Sequence, residues 1–276
     1  MKSKIYFLFS LIFLITACEQ DTISTYENKT AVVQAYIFAG QTIDSIRVTQ
    51  SYSYSETDTT LTTLNDLLIN LSGPEGETGL ISIGAGYYQR PDYKVNAGNT
   101  YSIAFEFNGE TVSAETYIPE RTEVEISEEV IEMQKIEFGS GGPGGFGGGL
   151  TQIDPVELRW DNPDGDHFYV VIDNLEENPE YTNSLLENPD LPFRRFNLRT
   201  EPEVTDFYRI DPRRQLQQFG LHRIVVYRVN PEYAALYETA GSSSLSITEP
   251  PSNVVNGLGI FTGVSSDTVY LELKKQ

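Results

Sequence analysis

From Ala31 onward the chain reads as short segments in which apolar and polar residues alternate. AVVQAYIFA (31–39), SIRVTQSYSY (45–54), LLINLSG (67–73), GLISI (79–83), TYSIAFEF (100–107) and TVSAETYIP (111–119) are rich in β-branched and aromatic residues. A period of two sends successive side chains to opposite faces, as in a strand with one buried face. Gly40, Gly73-Pro74, Asn96-Ala97-Gly98-Asn99 and Asn108-Gly109 punctuate the segments. Phe107-Asn108-Gly109-Glu110 predicts a two-residue hairpin, because Asn and Gly tolerate the positive φ of a type I′ turn. Short strands between frequent turns predict a β-sandwich, closed at Pro119.

A second block starts at Glu120. In VELRWDNPDGDHFYVVIDNL (156–175) two alternating strands flank a polar turn, with Trp160 ending one and Phe168-Tyr169 opening the next. That stretch resembles the B–C region of fibronectin type III domains. Residues 174–221 are irregular and Pro-punctuated, and LHRIVVYRV (221–229) is a strand. Asn230 as N-cap and Pro231 at the first helical position predict a short helix over EYAALYETA, ended by Gly241. TVYLELKK (268–275) is the last strand. Residues 139–149, GSGGPGGFGGG, carry eight glycines and predict a mobile loop, since burial there cannot offset the entropy of ordering. The expected architecture is mostly β. An N-terminal Ig/prealbumin-like sandwich covers 31–119, and a fibronectin type III-like domain with a short helix covers 120–276.

The N-terminus has a different pattern. Lys2 and Lys4 precede an eleven-residue apolar run, Ile5 to Ile15. A lasting membrane helix needs about 20 residues, so the run fits the core of a secretory signal. It ends in Ile15-Thr16-Ala17-Cys18, which resembles the lipobox of bacterial lipoproteins. Residues 1–17 are then a signal peptide, and Cys18 is the acylated first residue of the mature chain. Residues 18–30 are a tether. Glu19-Gln20-Asp21 resembles the surface-export signal of Bacteroidetes lipoproteins.

Composition narrows the function classes. The 40 acids against 19 Lys and Arg give a net charge of −21, which disfavours a nucleic-acid binder. Cys18 is the single cysteine, so there is no internal disulfide framework and no Cys-rich zinc site. Within this acidic chain, residues 194–228 hold eight arginines against four acids, while 120–190 hold eighteen acids against three basic residues. Arginine forks bind carboxylates and phosphates in pairs of hydrogen bonds. Arg194, Arg195, Arg199, Arg209, Arg213 and Arg214 are therefore candidate ligand- or partner-binding residues. The competing reading is mutual neutralisation of the two windows inside one domain.

A more specific likeness lies toward the C-terminus. Tyr93-x-Val95-x-x-Gly98-x-x-Tyr101, the strand VVYRV with its Tyr-bearing helix, and EPPSNVVNGLGIFTG (249–263) occur in that order. Pro251, Ser252, Asn253, Val254, Asn256, Gly257, Leu258, Gly259, Ile260, Phe261 and Gly263 carry a signature that resembles domain-of-unknown-function family 4249 of Bacteroidetes lipoproteins. The resemblance implies a lipid-anchored outer-membrane protein, exposed at the cell surface. It also implies a gene commonly found beside one for a TonB-dependent β-barrel transporter. It implies no catalytic residues and no cofactor.

Other chemistry is thin. Asp161-Asn162-Pro163-Asp164-Gly165-Asp166 has hard oxygen ligands of the kind calcium wants, but Pro163 and the missing later glutamate exclude an EF-hand. The same residues suit a sandwich turn. His167 and His222 stand in no metal-spacing motif, and no Gly-x-Ser-x-Gly elbow occurs. Gly257-Leu258-Gly259 lacks the Lys-Ser/Thr of a P-loop and reads as a bend before the last strand. The seventeen tyrosines suit either sandwich filling or a glycan- or peptide-binding surface. The expected role is non-enzymatic: an accessory subunit docking on a TonB-dependent transporter. A stand-alone glycan- or peptide-binding module and an envelope-assembly or export factor are the alternatives.

Overall fold

The computed structural model describes residues 29–52, 61–137, 153–188, 198–240 and 251–276. In chain order the first strands are β1 (Ala31–Phe38), β2 (Thr42–Gln50), β3 (Thr62–Thr63), β4 (Asn70–Gly73), β5 (Gly76–Gly79) and β6 (Ile81–Gly84). Next come β7 (Tyr87–Lys94), β8 (Thr100–Phe107), β9 (Glu110–Tyr117), β10 (Val124–Ile126), β11 (Val130–Met133), β12 (Val156–Trp160) and β13 (His167–Asn174). The remainder are β14 (Leu198–Arg199), β15 (Glu203–Val204), β16 (Phe207–Ile210), β17 (Gly220–Val229), β18 (Val254–Val255) and β19 (Leu258–Lys275). Two α-helices, the single-turn α1 (Pro212–Gln215) and the longer α2 (Pro231–Ala240), flank β17.

The molecule is mostly β and built as two sandwiches. In the first, β19-β1-β2-β7-β6 faces the five-stranded sheet β18-β9-β8-β4-β5. Alternation sets what lies between them. Ala31, Val33, Ala35 and Ile37 of β1 point inward, and so do Tyr101, Ile103 and Phe105 of β8. In the second, β14-β13-β17-β19 faces the three-stranded sheet β10-β12-β16. Val156, Leu158 and Trp160 meet Phe168, Val170, Ile172, Ile224, Val226, Leu271 and Leu273 there. Trp160 and Phe168 pack with ring centroids 5.2 Å apart. The turn between β12 and β13 therefore carries the chain from one sheet to the other.

β19 joins the two sandwiches. Its eighteen residues would extend about 60 Å at roughly 3.3 Å per residue. The first part runs parallel to β1, Val32↔Leu258 through Phe38↔Val264. The second part runs antiparallel to β17, Val229↔Val264 through Gly220↔Leu273. The segment from Val254 to Val264 follows the second block in sequence but packs with the first. Val254 and Phe261 belong to the N-terminal core, and β18 adds to β9.

Phe107 pairs with Glu110 across Asn108 (φ 52°) and Gly109 (φ 83°), the hairpin expected. Pro231 opens α2, and the Asn230 carbonyl accepts from the Tyr233 and Ala234 amides. The Asn230 side chain does something else. Its Nδ2 donates to Thr116 Oγ1 (2.9 Å) and to Tyr117 O (2.8 Å), which pins the helix start to β9. Glu232 accepts from Thr116 and Thr262 (3.2 and 3.1 Å), so the first turn of α2 is bolted across the junction of the sandwiches.

Candidate binding surface

The Pro251–Gly263 motif is held as a compact turn. Asn253 Oδ1 accepts from the Phe261 amide (3.0 Å), and its Nδ2 donates to Phe261 O (2.7 Å). This amide-to-backbone pairing closes the turn from β18 into β19. Asn256 has φ 54° at that turn. Phe261 is fully buried in the first core. Gly259 lies inside β19 with φ 100°, beyond the turn where the bend was expected. The Tyr93–Tyr101 motif is structural in the same way. Tyr101 OH accepts from the Asn96 amide (2.8 Å), and the two rings meet edge to face at 6.2 Å.

The arginine window is dispersed. Arg209 Nε donates to Glu157 (2.8 Å), Arg223 to Asp173 (2.9 Å), and Arg228 to Asp166. All three acids come from the acidic stretch 120–190, so the windows partly neutralise one another. Arg214 stands 3.4 Å from Asp211 and is highly exposed. Arg213 follows Asp211, the N-cap of α1, whose Oδ1 accepts its backbone amide (3.1 Å). Arg194, Arg195, Cys18 and the 139–149 glycine run lie outside the described residues.

Arg199 is placed differently. Its guanidinium lies 4.7 Å over the Tyr169 ring and donates to Tyr233 OH. Tyr169 stacks on Tyr227 at 4.7 Å and on Tyr233 at 5.8 Å. Tyr237 reaches Tyr233 OH (3.2 Å), and Tyr36 of β1 meets Tyr233 edge to face at 5.9 Å. Five phenols from four elements thus gather beside one exposed cation, on the sheet face that α2 covers. Burial pushes Tyr169 up to about 12, with Arg199 pulling the other way. Burial, then the bond with Tyr237, raises Tyr233. Tyr169 and Tyr233 therefore stay neutral donors and acceptors at neutral pH, and Tyr36 remains 40% exposed. The pattern Tyr233/Tyr237, one helical turn apart, was readable in sequence. The Tyr169–Tyr227 stack exists only through the pairing of β13 with β17.

The other candidates are occupied by the fold. Asn162 Oδ1 accepts from the Asp166 amide (2.8 Å), and its Nδ2 donates to Asp166 O (2.9 Å) and Thr205 O (3.1 Å). Asp164 and Asp166 both face Arg228. The Asp161–Asp166 string is thus a bonded turn between sheets. Among the described residues no group of three His, Cys, Asp or Glu could hold a metal ion. His167 opens β13, and its buried Nδ1 has no hydrogen-bond partner among the described residues.

His222 is buried, within 3.1 Å of Gly220 O and 3.2 Å of Asn174 Nδ2. Burial lowers its pKa, so the folded state favours the neutral ring. The unfolded state then takes up the proton first, below about pH 6.5. The stabilising contribution is present above that value and lost as pH falls through the depressed folded value. Urea titrations should show the midpoint falling in that window, and His222→Gln should flatten the fall.

The profile of the domain of unknown function DUF4249 matches residues 16–269. The chain belongs to that family. No curated protein matches. Among solved structures, a two-domain fibronectin type III segment from chicken tenascin is similar at 8% identity and TM-score 0.25, covering 88% of this chain and 98% of that one. Titin domains A168–A170 are similar at 11% identity and TM-score 0.22, covering 90% and 67%.

Proposed function

We propose that this protein is an outer-membrane lipoprotein that serves, without catalysis of its own, as an accessory subunit of a TonB-dependent transporter. The observation that carries the reading is Cys18. It is the only cysteine, and it stands where an eleven-residue apolar run gives way to a lipobox. Several acyl chains on one residue anchor far better than one, since each buried CH₂ contributes about 0.8 kcal/mol. The gene context that the family resemblance implies supplies the transporter.

Two measurements test it. Cys18→Ser should abolish fatty-acid labelling and lipoprotein-type processing of the chain, and the mature acylated form should no longer appear in the outer-membrane fraction. Affinity capture from detergent-solubilised envelopes should recover a large β-barrel protein. Capture of the protein alone would overturn the docking role.

The Arg199–tyrosine cluster favours a second reading, a surface module that binds a glycan or peptide by itself. Tyrosine presents a large amphipathic face at low entropic cost. A ligand of that kind would raise the melting temperature with no barrel present, because it binds the native state alone.

A further inference from the structure

β19 has an opening along one edge. β17 covers its other edge continuously from Val264 to Leu273. On the open side β1 stops at Val264 and β11 starts at Glu272. No strand thus pairs with Ser265 to Leu271 on that side among the described residues.

The direction of the backbone groups follows from the ladder. In an antiparallel pair, successive residues turn their N–H and C=O alternately toward and away from the partner. Val264 O accepts from Ala39 N–H and Glu272 N–H donates to Glu129 O, both 2.8 Å and both on the open side. Ser266, Thr268 and Tyr270 have the same parity and turn the same way. The Thr268 N–H is taken by Asp267 Oδ1 (2.8 Å). The Thr268 carbonyl and both Tyr270 groups have no backbone partner on this side among the described residues. At the near end the chain crossing from β9 to β10 closes the slot, through Ser265 Oγ to Glu120 O and Val124 N–H to Asp267 Oδ2.

Beyond that crossing lies an open groove of about 780 Å³. Ile126, Val130, Leu221 and Tyr270 supply apolar surface, and Val130 and Tyr270 are about half exposed. Glu125, Glu129 and Glu272 supply negative charge. Lys274 stands 3.4 Å from Glu272, whereas Glu125 and Glu129 have no ion-pair partner among the described residues.

We infer that this notch accepts an extended segment of a partner protein in which apolar residues alternate with Lys or Arg, added as a short strand beside Thr268–Tyr270. Main-chain groups left open on an edge give affinity to such an added strand, and the flanking side chains give it specificity. The carboxylates select basic side chains. A second copy of the chain is disfavoured, because each carries a net charge of −21 and would bring the same acidic rim. The inference names the partner chemistry for the docking role proposed above and rests on that role for its setting.

The test uses full-length protein in detergent and a labelled hexapeptide alternating Val and Lys, read by fluorescence anisotropy at low salt. Saturable binding is expected. It should weaken at least tenfold with Glu125→Lys/Glu129→Lys, with a Val/Glu peptide, and with a Val/Lys peptide N-methylated on alternate amides. Circular dichroism of the double variant keeps loss of binding separate from loss of fold. Absence of binding, indifference to N-methylation or equal binding of the Val/Glu peptide would each overturn the slot. Concentration-dependent dimerisation abolished by Glu129→Lys would assign it to a second copy instead. None of these outcomes bears on whether a barrel is captured, so the slot and the transporter role fail separately.

Discussion

Gly259→Ala should destabilise the protein by on the order of 4 kcal/mol, and Gly40→Ala by only about 1–2 kcal/mol. Both glycines have positive φ, 100° and 79°. A non-glycine residue in that region costs about 1–3 kcal/mol. The surroundings make the difference. A Cβ on Gly40 meets nothing within 4 Å, whereas one on Gly259 would lie 2.0 Å from Val33 O. That oxygen is backbone in β1, the strand to which Gly259 pairs directly. The overlap can be relieved only by prying β1 from β19, which loosens Val33, Ala35 and Phe261 in the first core. Gly263→Ala isolates the steric part, because its φ is ordinary and its Cβ would fall 2.3 Å from Tyr117 O. Urea midpoints for the three variants decide the matter. Equal losses for Gly259 and Gly40 would mean that the close approach of β1 to β19 is not what the glycine permits.

That contrast also shows what could be read from sequence. The hairpin at Asn108-Gly109, the inward face of β1 and the start of α2 depend on neighbours within a few residues, and their signals are local. The signature around Asn253 was visible as a pattern, but its meaning was not. Gly259 is needed because Val33, more than two hundred residues earlier, lies against it. The surroundings of the arginine window were hidden for the same reason. The residues between 194 and 228 are basic in sequence, yet Glu157, Asp173 and Asp166 reach them across sheet pairings and turns. Arg199 looked like its neighbours in sequence. Only the fold sets it among tyrosines from β1, β13, β17 and α2. The open edge beside Thr268 had no sequence signal at all, since it is defined by where two other strands stop.

Asp267→Ala should cost about 3 kcal/mol, several times the loss for Arg121→Ala, although the two form one ion pair. Their surroundings are unequal. Asp267 is almost fully buried, while the Arg121 side chain is 69% exposed. An exposed partner contributes about 0–1 kcal/mol, because solvent screens it and takes its place when it goes. The buried carboxylate also accepts the Val124 and Thr268 amides, each at 2.8 Å. Truncating it leaves the Val124 N–H without an acceptor in the interior, and each unsatisfied buried donor costs about 1–3 kcal/mol. The Thr268 N–H faces the open edge and can reach water, so its loss is smaller. Asp267→Asn keeps one oxygen acceptor and should fall between the two alanine variants. Denaturation midpoints across Asp267→Ala, Asp267→Asn and Arg121→Ala would show that order. If Arg121→Ala proved as damaging as Asp267→Ala, the pair itself, and not the amides it serves, would be what holds the β9–β10 crossing against β19.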